Sequence, residues 1–257
     1  MSEPDRQITK TRFLIVTEPR SGSYHLASLL DSAGDVTCLG ELFKARRIEL
    51  SDEWQARSGY ATGDMARRDA DPGAFLDRLV RVAGTPVFGF KEFSTRLVAA
   101  PLNALLLQDS GWKKLFLTRN PIRRYISMQR AAETGRFVSH EAATHRLDNA
   151  VIRFDPARFR RVFNADKALR KLALRLERAQ PGQVMSVDYR DLGSPEHLAR
   201  MLRFVGSDAV PEALSSRFHR QNDAGLAESL ADFDLMRRFM QDEGHEALLQ
   251  DALPEGR

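Results

Sequence analysis

Short apolar runs rich in β-branched and aromatic residues recur along this chain, and a helical pattern separates each from the next. "RFLIVT" (Arg12–Thr17), "PVFGFKEF" (Pro86–Phe93), "KKLFLT" (Lys113–Thr118) and "QVMSVDY" (Gln183–Tyr189) read as strands. Apolar residues at helical spacing cover Ser23–Ser32, Phe75–Val82, Ala100–Gln108, Ile122–Glu133 and Asp166–Arg178. Strands this apolar, alternating with helices, predict an α/β protein whose mainly parallel central sheet is covered on both faces. Such sheets bind ligands beyond the C-terminal ends of their strands. The chemistry is therefore to be sought in the turns that leave those ends.

At 257 residues and 42% hydrophobic composition the chain can bury a full core, and a single domain over residues 1–257 is expected. Two stretches of weak periodicity, 44–72 and 135–166, read as insertions facing an acceptor; they carry Trp54, Tyr60, Phe137 and His140. The formal net charge is +4, with no basic stripe interleaved with aromatics, so nucleic acid is a poor partner. Arg outnumbers Lys by 32 to 7. Cys38 is alone, which excludes an internal disulfide and fits a reducing compartment. The N-terminal "MSEPDRQITKTR" lacks a signal-peptide core, and no stretch approaches the ~18 apolar residues of a membrane span. A cytoplasmic protein is expected.

The first apolar run ends in "TEPRSGSYHL" (Thr17–Leu26) and enters a helix. A Gly-containing turn between strand and helix points backbone N–H groups and the positive end of the helix dipole at an anion. A nucleoside-triphosphate loop would need G-x-x-x-x-G-K-[ST]; here there is one glycine, and Arg20 takes the place of the missing lysine. A second joint, "LFLTRNPIRRYISMQRA", places Arg119 at a strand end, Asn120 as a helix cap, Pro121 at the first helical position and Ser127 on the helix. Arg119 and Ser127 can converge on one anion, separate from the one that Arg20 grips. Arg123 and Arg124 beside them read as a solvated basic face, and His25 as packing.

Two anion grips on successive turns suit a nucleoside phosphorylated at both ends, and here the chain resembles the sulfotransferases that use 3′-phosphoadenosine 5′-phosphosulfate (PAPS). The resemblance rests on Pro19-Arg20-Ser21-Gly22-Ser23, on Arg119 with Ser127, on "GELF" (Gly40–Phe43), on "GFK" (Gly89–Lys91), and on "VDYRDLGSPEHLARMLRFVG" (Val187–Gly206). It extends to "RQNDAGLAESLADFDLMRRFM" (Arg220–Met240). The likeness is greatest to bacterial carbohydrate sulfotransferases, the rhizobial nodulation-factor type and more distantly the trehalose type. It implies a P-loop-like three-layer α/β/α fold and transfer of a sulfuryl group to a hydroxyl of a carbohydrate or glycolipid, leaving 3′,5′-adenosine bisphosphate (PAP).

By the same resemblance Arg20, Ser21, Gly22, Ser23 and Tyr24 hold the 5′-phosphosulfate, and Arg119 and Ser127 the 3′-phosphate. Arg220 and Gln221 add contacts from the C-terminal segment. Arg20 and Lys91 meet the charge that grows on the bridging oxygen. The acceptor hydroxyl needs a base. Aryl and steroid sulfotransferases place a His two residues after the strand Lys, and Phe93 stands there in this chain, so the resemblance nominates Glu41. Its structural alternative is a carboxylate paired with Arg46 or Arg47. No cluster with metal-ligand spacing is seen and none is required, because the phosphosulfate is already activated. Three alternatives stay open: a phosphotransferase, a PAP-binding protein without turnover, and a sulfotransferase for a small non-carbohydrate alcohol. A homodimer is left open as well.

Overall fold

The computed structural model describes residues 10–134, 150–218 and 225–252. In chain order the elements are β1 (Thr11–Thr17), α1 (Ser23–Asp31), β2 (Val36–Leu39), α2 (Asp52–Ser58), α3 (Met65–Ala70), α4 (Pro72–Val82), β3 (Val87–Phe93) and α5 (Ser94–Leu97). There follow β4 (Trp112–Thr118), α6 (Pro121–Thr134), α7 (Pro156–Ala179), β5 (Val184–Asp188), α8 (Pro195–Val205), α9 (Leu226–Ser229), α10 (Phe233–Asp242) and α11 (Glu246–Asp251).

The five strands form one sheet in the order β2-β3-β1-β4-β5, and every pairing is parallel. Alternation along β1 sorts its side chains between two cores. Phe13 and Ile15 pack with α1 and α8, while Leu14 and Val16 pack with α4 and α7 on the other face. Each face is thus capped by helices, which is why the strands are apolar on both sides. A third cluster joins α6 to the start of α7 and to α10 and α11 through Tyr125, Phe154, Phe159 and Met236.

The strand order sets the site. The chain leaves β3 on one side of β1 and resumes at β4 on the other, so the turns after β1 and β4 face each other at a topological switch point. In register, Thr17 lies opposite Leu117, and its hydroxyl donates to the Leu117 carbonyl at 3.0 Å.

Four expectations change. The edge strand β2, "VTCL", is too short for its period to show in the sequence. The helix expected over Ala100–Gln108 is a single π-type turn at Asn103–Leu107. Helix α7 starts ten residues before Asp166, where the Asp155 side chain accepts from the Arg158 N–H and Pro156 takes the first position, so residues 156–166 are helix rather than acceptor loop. The 44–72 stretch is anchored to the core at Ile48, Leu50 and Tyr60, with Trp54 partly buried against it, while about half of its residues are exposed. Tyr60 meets Phe75 edge-on at 4.8 Å beneath Arg67, and Arg57 lies over Trp54, so neither ring presents a free stacking face.

Candidate active site

The turn after β1 is held in an unusual shape. Arg20 has φ 67° and Gly22 has φ 85°, so two left-handed residues bracket Ser21. Only glycine adopts this region without cost, and Arg20 must be held there by its surroundings. Gly22 is further required because a Cβ would overlap the ring of Tyr189. Ser21 is fully buried, and its Oγ has no hydrogen-bond partner among the described residues. A buried hydroxyl without a partner is costly, and an oxygen-rich ligand at the start of α1 would satisfy it.

The turn after β4 closes on the first. Asn120 Oδ1 accepts from the N–H groups of Ile122 at 2.9 Å and Arg123 at 3.3 Å, capping α6. Arg119 Nη1 donates to the Arg20 carbonyl at 3.2 Å, and its guanidinium lies 4.3 Å from the Tyr189 ring centroid. Arg20 Nε in turn donates to Ser127 Oγ at 3.0 Å. Arg20 thus touches Ser127, so the turn after β1 and the second turn of α6 are in direct contact.

Beneath the loop runs a buried charge network. Arg124, expected on a solvated face, is 1% exposed; its Nε donates to the Pro19 carbonyl at 3.2 Å, and its guanidinium pairs with Glu18 at 4.0 Å and Asp166 at 3.7 Å. The Ser94 hydroxyl donates to Glu18. Burial pushes the Glu18 carboxyl up, with Ser94 and Arg124 opposing. Arg123 Nε donates to the Ala252 carbonyl.

The wall on the β2–β3 side is built of charges. Lys91, on β3, is wholly buried, its Nζ 2.5 Å from Glu41 Oε1 and 3.6 Å from the Tyr24 ring centroid. Arg96 donates to Glu41 Oε2 at 2.9 Å and also pairs with Glu92, while Lys44 lies 3.7 Å from Glu41. Burial alone would raise the Glu41 carboxyl, but Lys91, Arg96 and Lys44 outweigh it and hold it below the ordinary carboxylate value. Burial pulls the Lys91 amine down against the support of Glu41. The partners of Glu41 are thus Lys91 and Arg96, not the Arg46 or Arg47 that sequence proximity suggested. The Tyr24 hydroxyl reaches Glu49 at 2.9 Å and Glu41 at 3.4 Å.

A sulfotransferase domain from the curacin biosynthetic pathway superposes with TM-score 0.51 and 11% identity, covering 95% of this chain and 92% of its own. This chain has the sulfotransferase fold. Other similar structures are a sulfotransferase from Alicyclobacillus acidocaldarius (19% identity, 94% and 96% covered, TM-score 0.48) and mouse sulfotransferase SULT7A1 complexed with PAP (14%, 93% and 88%, 0.46). No family model and no curated protein matches the sequence.

Within this sulfotransferase fold the structure brings together Arg20, Ser21, Gly22, Ser23, Arg119 and Ser127 around the β1 and β4 turns, with Tyr24, Glu41 and Lys91 alongside. Arg220, Gln221, Phe137 and His140 lie outside the described residues. His25 is set apart: its Nδ1 is 2.8 Å from Ser216 Oγ, and burial lowers its pKa. Sequence reasoning missed Glu18, Glu49 and Arg96. All three are charged residues in loops or a short helix, and only their buried contacts single them out. No helix among the described residues is long and apolar enough to cross a membrane, and no metal-ligand cluster appears among them.

Proposed function

We propose that this protein transfers the sulfuryl group of PAPS to a hydroxyl of a carbohydrate or glycolipid acceptor, releasing PAP. The observation that carries the reading is the Arg20–Ser127 contact beside the orphaned Ser21 hydroxyl: two anion-binding turns share one guanidinium, and a buried polar atom there awaits a partner. The fold agrees with this reading, but fold alone does not assign activity. Side chains and turn amides carry the assignment.

Ser21, the N–H groups at the start of α1 and Arg20 would hold the 5′-phosphosulfate; Arg119 and Ser127 would hold the 3′-phosphate. PAPS supplies an already activated sulfur, so the protein's share is placement and charge. As the sulfuryl group moves, negative charge grows on the oxygen left on the 5′-phosphate, and Arg20 with the turn amides is placed to meet it. Lys91 would add its charge from behind the Tyr24 ring. A carboxylate of the adjoining wall takes the acceptor's proton, and Glu41 is the residue that the resemblance nominates.

Incubation with ³⁵S-labelled PAPS and glycan extracts tests the reading. Label transferred to a saccharide or glycolipid is the expected result. PAP binding with no labelled product from any extract would leave a binding protein, and label on a small non-sugar alcohol would move the acceptor class. A melting shift from ATP-Mg but none from PAP would indicate a phosphotransferase instead.

A further inference from the structure

Two carboxylates, not one, stand at the wall formed by Tyr24. Glu41 is engaged at both oxygens by Lys91 and Arg96, and its side chain is 3% exposed. Glu49 lies on the loop after β2 with its side chain 22% exposed, and its polar neighbours come from that loop and from α1. Its Oε2 accepts the Glu41 N–H at 2.7 Å, its Oε1 accepts from the Tyr24 hydroxyl at 2.9 Å and Lys44 at 3.1 Å, and Arg47 stands 3.7 Å away. Gly40 is what admits it, since a Cβ at residue 40 would overlap Glu49 Oε2.

We infer that Glu49 is the carboxylate that takes the acceptor's proton, and that Glu41 is a buried counter-ion that positions Lys91 and Arg96. The inference rests on the sulfuryl-transfer reading above. A base must reach the incoming hydroxyl. To free its Oε1, Glu41 would have to strip the wholly buried Lys91 of its partner, leaving an uncompensated charge, while its Oε2 is held by Arg96, which Glu92 also pairs. Glu49 has only to exchange a rotatable hydroxyl or a partly exposed Lys44, so an acceptor hydroxyl can replace either at little cost. In the step itself, Glu49 takes the proton as the acceptor oxygen bonds to sulfur. The bond from sulfur to the 5′-phosphate oxygen breaks with its electron pair, and Arg20 and the turn amides receive that charge as PAP forms.

The groups facing Glu49 are Tyr24 from α1, Glu41, Lys44 and Arg47 from the loop after β2, and Lys91 from β3. The backbone amide, Lys44 and Tyr24 outweigh burial and hold the Glu49 carboxyl below its ordinary value. The base is therefore ionised across the neutral range in the free enzyme, and the acid limb of kcat/KM falls below the ordinary carboxylate value of 4.5.

Wild type, Glu49→Gln, Glu49→Asp and Glu41→Gln are compared with ³⁵S-labelled PAPS on trehalose, N-acetylglucosamine oligomers and lipopolysaccharide. PAP affinity is measured by calorimetry alongside. Glu49→Gln should lose kcat about 10²–10⁴-fold, bind PAP within about twofold of wild type and lack the acid limb, with Glu49→Asp restoring part of the rate and the limb. Glu41→Gln strips the buried Lys91 of its partner and should lose both rate and stability, but it should retain the acid limb, which belongs to Glu49. An acid limb lost in Glu41→Gln and kept in Glu49→Gln, or a Glu49→Gln enzyme with near-normal kcat, overturns the inference. A wild type that binds PAP but labels none of the three acceptors, nor any glycan extract, defeats the carbohydrate-acceptor reading, and if it labels no small alcohol either, the sulfuryl-transfer reading itself.

Discussion

Arg20 Nε and Ser127 Oγ, 107 residues apart in the chain, are 3.0 Å apart in space. One belongs to the turn after β1 and the other to the second turn of α6, so a ligand touching either turn also meets the other. A bisphosphorylated nucleoside fits such a shared surface better than a singly phosphorylated one. PAP should therefore raise the melting temperature far more than adenosine 5′-phosphate, with about 2.7 kcal/mol of stabilisation at a hundredfold excess over Kd. Arg119→Ala should weaken PAP by about 2–4 kcal/mol and Ser127→Ala by about 1 kcal/mol. Equal melting shifts from the two nucleotides would remove the 3′-phosphate from the site.

Ser21 offers a sharper test because its hydroxyl is buried without a partner. Ser21→Ala removes a desolvated polar atom, so the ligand-free protein should be unchanged or up to about 1 kcal/mol more stable. PAP affinity should nevertheless fall, by about 1–2 kcal/mol, because the hydroxyl's ligand partner is lost. Denaturant unfolding with and without PAP separates the two effects. A loss of stability in the absence of PAP would show that the hydroxyl already has a partner.

Arg124 and Glu18 brace the same turn from below. Arg124→Met leaves Glu18 buried without its cation and should cost about 3–5 kcal/mol. Adding Glu18→Gln should recover part of that, since one orphaned carboxylate is then gone, while Asp166 keeps only its pair with Arg170. The double variant should still bind PAP poorly, because the Pro19 carbonyl loses the Arg124 donor that helps hold Arg20 at φ 67°. A double variant no more stable than Arg124→Met would show that the pair is not coupled.

The carboxyls around the site give stability an unusual dependence on pH. Glu41 and Glu49 are held below the ordinary value of 4.5, so their stabilisation is complete above that pH and is lost as acid carries the solution through their folded values. Glu18 and Glu92 are raised by burial, so they take up protons first, and that uptake favours the folded state. His25 works the other way: burial lowers its pKa, so stability is lost as pH falls through the ordinary imidazole value. In a His25→Gln background, melting temperature should therefore hold or rise slightly as pH falls towards about 4.5, then drop steeply below it. Glu18→Gln with Glu92→Gln should flatten the first part, and Glu41→Gln with Glu49→Gln should soften the second. A monotonic fall from neutral pH in the His25→Gln background would contradict the raised values of Glu18 and Glu92.

Much of the frame was legible in the residues themselves. Period and composition are local properties, so "RFLIVT", "KKLFLT" and the Asn120-Pro121 helix start announce their elements without help from distant chain. The strand–Gly–helix turn after β1 and the Arg119-Asn120-Pro121 joint after β4 were legible for the same reason. Length also limits what can be seen: β2 has four residues, too few to show a period, and the Arg-rich start of α7 hid a helix whose buried positions are Phe159, Val162 and Asp166.

Pairing between side chains is what the sequence by itself could not determine. Along the chain Glu41 stands beside Lys44, Arg46 and Arg47, yet its closest cations, Lys91 and Arg96, come 50 and 55 residues later. Arg124 looks like half of an exposed Arg-Arg pair until α6 folds it beneath the loop to meet Glu18. Glu49 has no motif at all; its place follows from the Glu41 N–H and from the Tyr24 hydroxyl one element away, from both of which it accepts. The sequence determined which segments become strands, helices and anion-binding turns, since those follow from local backbone preference and apolar period. The tertiary structure decided which charges are desolvated and which partners neutralise them, because burial and ion pairing depend on distances that only the packed sheet brings within about 4 Å.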